Sequence, residues 1–327
     1  MVVEAVRTVS TEALRDFWHP VAFADEITSQ PRRVTLLDER VVVYRIADGT
    51  PIALRDLCIH RGTPLSLGWV EGDLITCAYH GWTYGPDGAC VRIPSVDESR
   101  AIPAKARVDA YRATERYDLV WVCLGEPRAD IPAFPEYDDP SYKRFIIESE
   151  EWAASAARLI ENFVDTAHFA WVHPGILGDR AHPRVPEITV RRGEWTIEVD
   201  LEMASAGGLQ TGMDATRVWD EVTLPMTVRQ VRTDPSGRRN VIFLAISPLS
   251  AKRLRRFIRS MRDFDLDEPD EPFRTQSQLV QSQDRAIVEE QRPEELPVDL
   301  AEEMHVRGPD DPAVVYRRAL AELGIEG

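Results

Sequence analysis

The chain has 327 residues, 43% of them hydrophobic and 29% charged, with a formal net charge of −16. That length suffices for two domains or one large one, and the acidity excludes general nucleic-acid binding and attraction to an anionic membrane surface. No apolar run reaches the ~18 residues of a spanning helix, and the opening MVVEAVRTVSTEALRDFW lacks the apolar centre of a signal peptide, so the expected compartment is the cytoplasm.

The first third reads as short strands. RRVTLLDERVVVYRIADGTPIALRD (32–56) holds two β-rich runs around the turn signal DGTP. LITCAYHGWTYGPDGACVRI (74–93) predicts a hairpin bent at GPDG, and YDLVWVCLGEP (117–127) predicts an apolar strand closed by Gly and Pro. PRADIPAFPEYDDPSY (127–142), with four prolines and four acids, reads as a linker. It divides the chain into residues 1–135 and 136–327.

Beyond the linker, WAASAARLIENFVDTAHFAWVHP (152–174) predicts one helix, with Leu159, Ile160, Phe163, Val164, Ala167 and Trp171 at helical spacing and Pro174 as its stop. Strand patterns follow at 188–203, 218–233 and 240–250. PFRTQSQLVQSQDRAIVEEQRP (272–293) predicts a long helix, and 314–324 a short last one. An all-β domain followed by an α+β domain fits this order.

Four cysteines are too few for a disulfide scaffold. Two of them belong to a repeated pattern: Cys58-x-His60, sixteen residues, then Cys77-x-x-His80, each histidine followed closely by glycine (Gly62, Gly81). Three readings compete. Structural zinc suits Cys2His2, but these mixed pairs fit zinc spacing poorly. Unrelated buried cysteines and core histidines would not repeat the same order on two loops. A two-iron cluster with two imidazoles replacing two thiolates on one iron needs this set. Trp82 could shield such a cluster or be plain core; Cys90 and Cys123 read as small buried hydrophobes.

ENFVDTAHFAWVH (161–173) holds a second set. On a helix, Asn162, Asp165 and His168 share one flank, and His173 lies near the helix end where the backbone can unwind. Two histidines and a carboxylate with open positions opposite form the site type of non-haem Fe(II). A satisfied core histidine is the alternative for His168 alone.

CIHRGTPLSLG…CAYHGWTYGPDG resembles the Rieske motif of ring-hydroxylating oxygenases, and N-x-x-D-x-x-H-x4-H at 162–173 resembles their mononuclear-iron motif. The resemblance covers both halves of the chain and is similar in length to the α-only branch of vanillate and dicamba O-demethylase type. It implies an α+β chain: a Rieske [2Fe-2S] β-domain at 1–135, its first segment packing on the other domain, then a helix-grip domain at 136–327 whose antiparallel sheet wraps a long helix over the iron. Cys58, His60, Cys77 and His80 would hold the cluster. His168, His173 and Asp284, the last in a D-x4-E-x-Q context with Glu289 and Gln291, would hold Fe(II). Glu289 and Glu290 otherwise read as solvated acids. Asp165 would bridge His168 to His80 of a neighbouring subunit in a homotrimer, and Asn162 would lie near the iron.

The resemblance further implies O2 activation on a small aromatic or related substrate, most simply monooxygenation leading to O-demethylation. Ring hydroxylation, N-demethylation and C–H hydroxylation are the alternatives, and a pure Rieske electron carrier or a zinc-stabilised binding protein are the readings from other classes. The chain has no G-x-G-x-x-G fingerprint, so NAD(P)H would be used through a separate flavin reductase, with or without a ferredoxin. AKRLRRFIRSMR (251–262), six cations without an acid, reads either as a strand face or as a docking patch for an acidic ferredoxin. VIFLAISPLS (241–250) reads as core, with alternate positions available to a pocket.

Overall fold

The structure, a computed structural model, describes residues 6–97, 99–203 and 217–326. Its backbone forms two compact units, Arg15–Asp130 and Ile131–Gly327, the second including the described part of Met1–Leu14. Among the described residues no helix is long and apolar enough to cross a membrane.

The Arg15–Asp130 unit contains β1 (His19–Phe23), β2 (Arg32–Leu36), β3 (Glu39–Arg45), β4 (Pro51–Arg55), β5 (Trp69–Glu71), β6 (Leu74–Thr76), β7 (Thr83–Tyr84), β8 (Cys90–Arg92), β9 (Ala110–Arg116) and β10 (Leu119–Cys123). Six strands form a sheet in the order β1-β10-β9-β4-β3-β2, and four form a small one in the order β5-β6-β7-β8. Leu37–Asp38 and Tyr117–Asp118 turn their hairpins with positive φ at both positions, a conformation that matches the twist of the flanking strands. The segment read as one hairpin is three short strands, and CAYHGW is the loop between β6 and β7. Val42, Tyr44, Leu54, Leu65, Ile75 and Tyr84 pack with Cys58 and Cys77 into one buried cluster.

The second unit contains β11 (Lys143–Trp152), α1 (Ala156–Val164), α2 (Phe169–Val172), β12 (Ile188–Arg192), β13 (Thr196–Glu202), β14 (Arg217–Thr223), β15 (Thr227–Thr233), β16 (Arg239–Ser250), β17 (Arg253–Arg262), α3 (Glu271–Val288) and α4 (Asp311–Glu322). Its sheet is antiparallel, in the order β11-β17-β16-β15-β14-β13-β12. Val241–Leu249 of β16 is buried at every position, as a strand covered on both faces must be. The N-terminal segment joins this unit through bridges from Thr8 to Pro297 and Val9 to Glu326.

Three local expectations are corrected. The helix expected over 152–174 breaks in two. Trp152 ends β11, Ser155 caps α1 by accepting the Arg158 N–H, and the helix stops at Asp165, whose carboxylate accepts the Ala167 N–H at 2.7 Å. That side-chain bond offers the backbone an alternative to the helix ladder. Second, the basic stretch is largely a paired strand face rather than a free cationic surface. It is β17, paired with acidic β11, and Arg256, Arg259 and Arg262 are buried. Arg256 binds Glu148, Glu150 and the Gln281 side chain, while Arg262 binds Asp270 at 2.6 Å. Third, Glu289 is not merely solvated: its carboxylate accepts the Ala153 N–H and the Arg285 Nε–H, each at 2.9 Å. These bonds tie α3 to β11 and β17.

Candidate metal centres

In the first unit two loops repeat one geometry. The Cys58 N–H donates to the Thr63 carbonyl and the Gly62 N–H returns to the Cys58 carbonyl. Nineteen residues on, Cys77 pairs in the same way with Trp82 and Gly81. Gly62 and Gly81 both sit at φ +70°, a left-handed conformation that closes each loop and that side chains disfavour. Cys58 and Cys77 are 2% and 1% exposed, whereas His60 is half-buried and His80 exposed. The imidazole centroids of His60 and His80 lie 4.6 Å apart. Two thiols inside and two imidazoles outside, converging on one point, suit a two-iron cluster with one buried and one surface iron. His60 Nδ1 is buried with no hydrogen-bond partner among the described residues, an orphan that a metal would satisfy. Partial burial, with the charges of His80 and Arg61, holds the His60 pKa below its ordinary value, which favours the neutral form a ligand needs.

Trp82 stacks on His60 at 4.7 Å, 7° from parallel, and packs on the unit's core. The Tyr84 hydroxyl lies 3.1 Å from Cys58 Sγ. Sequence reading missed it; its only signal was a polar-tipped aromatic two residues after Trp82, beside the loop. Cys90 and Cys123 are buried thiols in strands, as expected.

In the second unit His168 and His173 flank the single turn of α2, and Asp284 sits on the buried face of α3. One ligand atom from each lies within 4.8 Å of the others. Asp284 Oδ1 is 2.9 Å from His173 Nε2 and 3.4 Å from His168 Nε2. The far side of each ring is held: Asp165 Oδ2 lies 3.1 Å from His168 Nδ1, and Gln283 Oε1 2.8 Å from His173 Nδ1. An acceptor at Nδ1 keeps the proton there and leaves the Nε2 lone pair for a metal. The donor set therefore fits a divalent iron with open positions opposite. Burial opposes a charged His168, yet hydrogen bonds and attraction from Asp165 and Asp284 carry its pKa up to about 9. Burial raises the Asp284 pKa, and the two histidines reverse this and lower it. The site thus attracts positive charge, and a cation would replace the shared protons.

Asn162, Phe163 and Gln281 line a cleft with these three residues. It adjoins a second, somewhat larger cleft lined by Ile147, Ile242, Phe264, Phe273 and Gln276 among others. Of the 241–250 strand, only Ile242 reaches the cleft; its neighbours are core. The structure brings His168, His173, Asp284, Asp165 and Asn162 together. Sequence reading missed Gln283, Gln281 and Gln276. Their signal was a run of glutamines on the helix that carries Asp284, since buried amides on one helix face are costly without partners.

Two tight Cys–His loops on a β-unit and a two-histidine, one-carboxylate site under a long helix define a class. Residues 17–112 match the Rieske [2Fe-2S] domain, and 152–326 match the Vanillate O-demethylase oxygenase C-terminal domain. The chain belongs to the Rieske non-haem iron oxygenases. It is an oxygenase component that uses a Rieske [2Fe-2S] cluster, mononuclear iron and O2, with NAD(P)H electrons supplied through partner proteins. The chain is 33% identical to methylxanthine N1-demethylase NdmA of Pseudomonas putida, over 98% of this chain and 92% of that protein. It is 28% identical to the oxygenase component of dicamba O-demethylase of Stenotrophomonas maltophilia, over 84% and 87%. The structure of Pseudomonas putida CBB5 NdmA with caffeine aligns with a TM-score of 0.86 at 31% identity, covering 95% of this chain and 91% of that one.

Proposed function

We propose that this chain is the terminal oxygenase of a demethylating system, hydroxylating an N- or O-methyl group on an aromatic or heteroaromatic ring so that the carbon leaves as formaldehyde. The observation that carries this reading is the approach of His168, His173 and Asp284 at the end of a largely apolar cleft. His168, His173 and Asp284 would hold Fe(II), which when bound supplies the oxygen-activating chemistry. Cys58, His60, Cys77 and His80 would hold the cluster, within the electron-transfer part at 1–135; residues 136–327 form the oxygenase part. Asp165 fixes the His168 ring, and Asn162 borders the cleft beside it. The similarity to N- and O-demethylases supports demethylation over ring oxidation.

The reading includes a homotrimer acting in the cytoplasm, in which Asp165 of one subunit also meets His80 of the next. Support comes from exposure: His80 lies at the surface, and Asp165 keeps a side-chain exposure of 31% although it binds His168. A flavin reductase, with or without a ferredoxin, supplies the electrons.

A single-turnover experiment tests the reaction. The iron- and cluster-loaded protein is reduced chemically and exposed to O2 with methoxy-aromatics, N-methyl heterocycles or unsubstituted aromatics. Formaldehyde in proportion to substrate loss is the expected result. Ring-hydroxylated product without formaldehyde would replace demethylation with ring oxidation.

A further inference from the structure

Arg232, on β15, lines both the cleft that holds the iron-site residues and the larger one adjoining it. Its Nε donates to Gln230 Oε1 at 2.5 Å, and Gln230 Nε2 donates to Asp220 Oδ1 at 2.8 Å, directly across on β14. Gln230 therefore fixes the base of the guanidinium and leaves its two terminal nitrogens. Among the described residues those nitrogens have no hydrogen-bond or ion-pair partner. Four of the buried arginines are matched by acids: Arg158 and Arg317 by Glu303, Arg256 by Glu148 and Glu150, Arg262 by Asp270. Burial lowers the Arg232 pKa, while Asp220 and Asp284 oppose that without touching it. On the facing helix, Gln276 is 7% exposed, lines the same cleft and has an amide nitrogen without a partner among the described residues.

Arg232 is half-buried, its guanidinium opens onto the cleft without a counter-ion, and the planar fork matches an oxyanion in two-point contact. We propose that Arg232 anchors an oxyanion of the substrate, so that the cleft takes an aromatic ring carrying a carboxylate or sulfonate in addition to the methyl group that is oxidised. This rests on the demethylation reading only for the group that reacts. The anion site itself stands on Arg232, Gln230 and the cleft. Asp220 is already occupied by Gln230, and Asp284 faces the two histidines, so neither carboxylate competes for the free end of the fork.

Binding without turnover separates the two ideas. Calorimetric titration of the iron- and cluster-loaded protein compares benzoate, benzenesulfonate and the neutral isostere benzamide. The wild type is expected to bind one of the anions at least roughly tenfold more tightly than benzamide. Which anion wins separates a planar carboxylate receptor from a tetrahedral sulfonate receptor. Arg232→Met should remove that preference while leaving benzamide within about threefold, and Arg232→Lys, which keeps charge but loses the fork, should fall between. Iron content and circular dichroism check that each variant folds; if Arg232→Met does not, the wild type and Arg232→Lys decide. Equal binding of anion and amide, or of neither, overturns the proposal. So does an anion preference that survives Arg232→Met, which would mean direct ligation to iron. Anion preference without formaldehyde in the turnover assay would break the demethylation reading and leave this one standing.

Discussion

The two metal-binding regions are built on opposite plans. At the proposed cluster site, four side chains come from 23 consecutive residues, held by two copies of one loop. At the iron site, His173 and Asp284 are 111 residues apart, and they meet because a helix breaks and a second helix is anchored across the sheet. The first leaves His80 at the surface; the second buries His173 completely. The difference follows from chemistry. An electron-transfer centre works through an exposed edge and a rigid cage, whereas O2 chemistry needs a site closed to bulk water and open to substrate. Short loops deliver the first, and only a sheet and helices can enclose the second.

The sharpest test of this contrast is Asp284→Ala. Total iron should fall from about three to about two per chain while about two labile sulfides remain, and turnover should fall to background. Loss of sulfide together with iron would show that the two centres do not assemble independently.

Asp165→Asn is expected to retain both centres, because the amide can still approach His168 Nδ1, yet to reduce turnover on the order of 100-fold or more. Single-turnover rates with metal analysis read this. Wild-type rates would remove Asp165 from the electron path.

Next in size is the pH dependence of the second unit. Burial raises the Asp220 pKa from its ordinary 3.8 to about 7, against the Gln230 hydrogen bond and the Arg232 charge. The folded chain therefore binds more protons than the unfolded one between about pH 4 and 7, and stability falls as pH rises through that window. Asp220→Asn keeps the acceptor for Gln230 and should flatten the slope. Urea midpoints at pH 5 and pH 8 that shift as in the wild type would contradict the assignment.

The smallest effect belongs to the cluster. A Tyr84 hydroxyl donating to Cys58 Sγ stabilises the reduced, more negative form, so Tyr84→Phe should lower its potential by about 40 mV, the equivalent of one hydrogen bond of about 1 kcal/mol. Redox titration followed by electron paramagnetic resonance checks it, and an unchanged potential would leave Tyr84 as packing alone.

The basic strand shows how composition misleads. Six cations without an acid look like a binding surface in isolation. The acids of Arg253 and Arg256 lie on β11, more than a hundred residues earlier, a segment to which sequence reading assigned no element, and that of Arg262 is Asp270, at the start of α3. Arg256 instead reaches Gln281, one turn before Asp284, so a supposed docking patch is part of what holds the iron-site helix.

From its sequence alone this chain could be read as two units, with Cys58, His60, Cys77 and His80 as one constellation and Asn162, Asp165, His168 and His173 as another. Those patterns are local: the geometry of a short loop or a helical turn depends on residues within a few positions, so spacing carries it. Asp284 came from resemblance rather than from spacing, because an acid on a helix has no mark of its own. Tertiary structure alone decided that the helix breaks at Asp165, that Gln283 steadies His173, that Tyr84 reaches Cys58, and that Arg232 lines the cleft held by Gln230 but with no counter-ion among the described residues. Each depends on a partner on another strand or helix, and contact between distant segments is set by packing and hydrogen-bond satisfaction across the whole sheet rather than by any stretch of sequence.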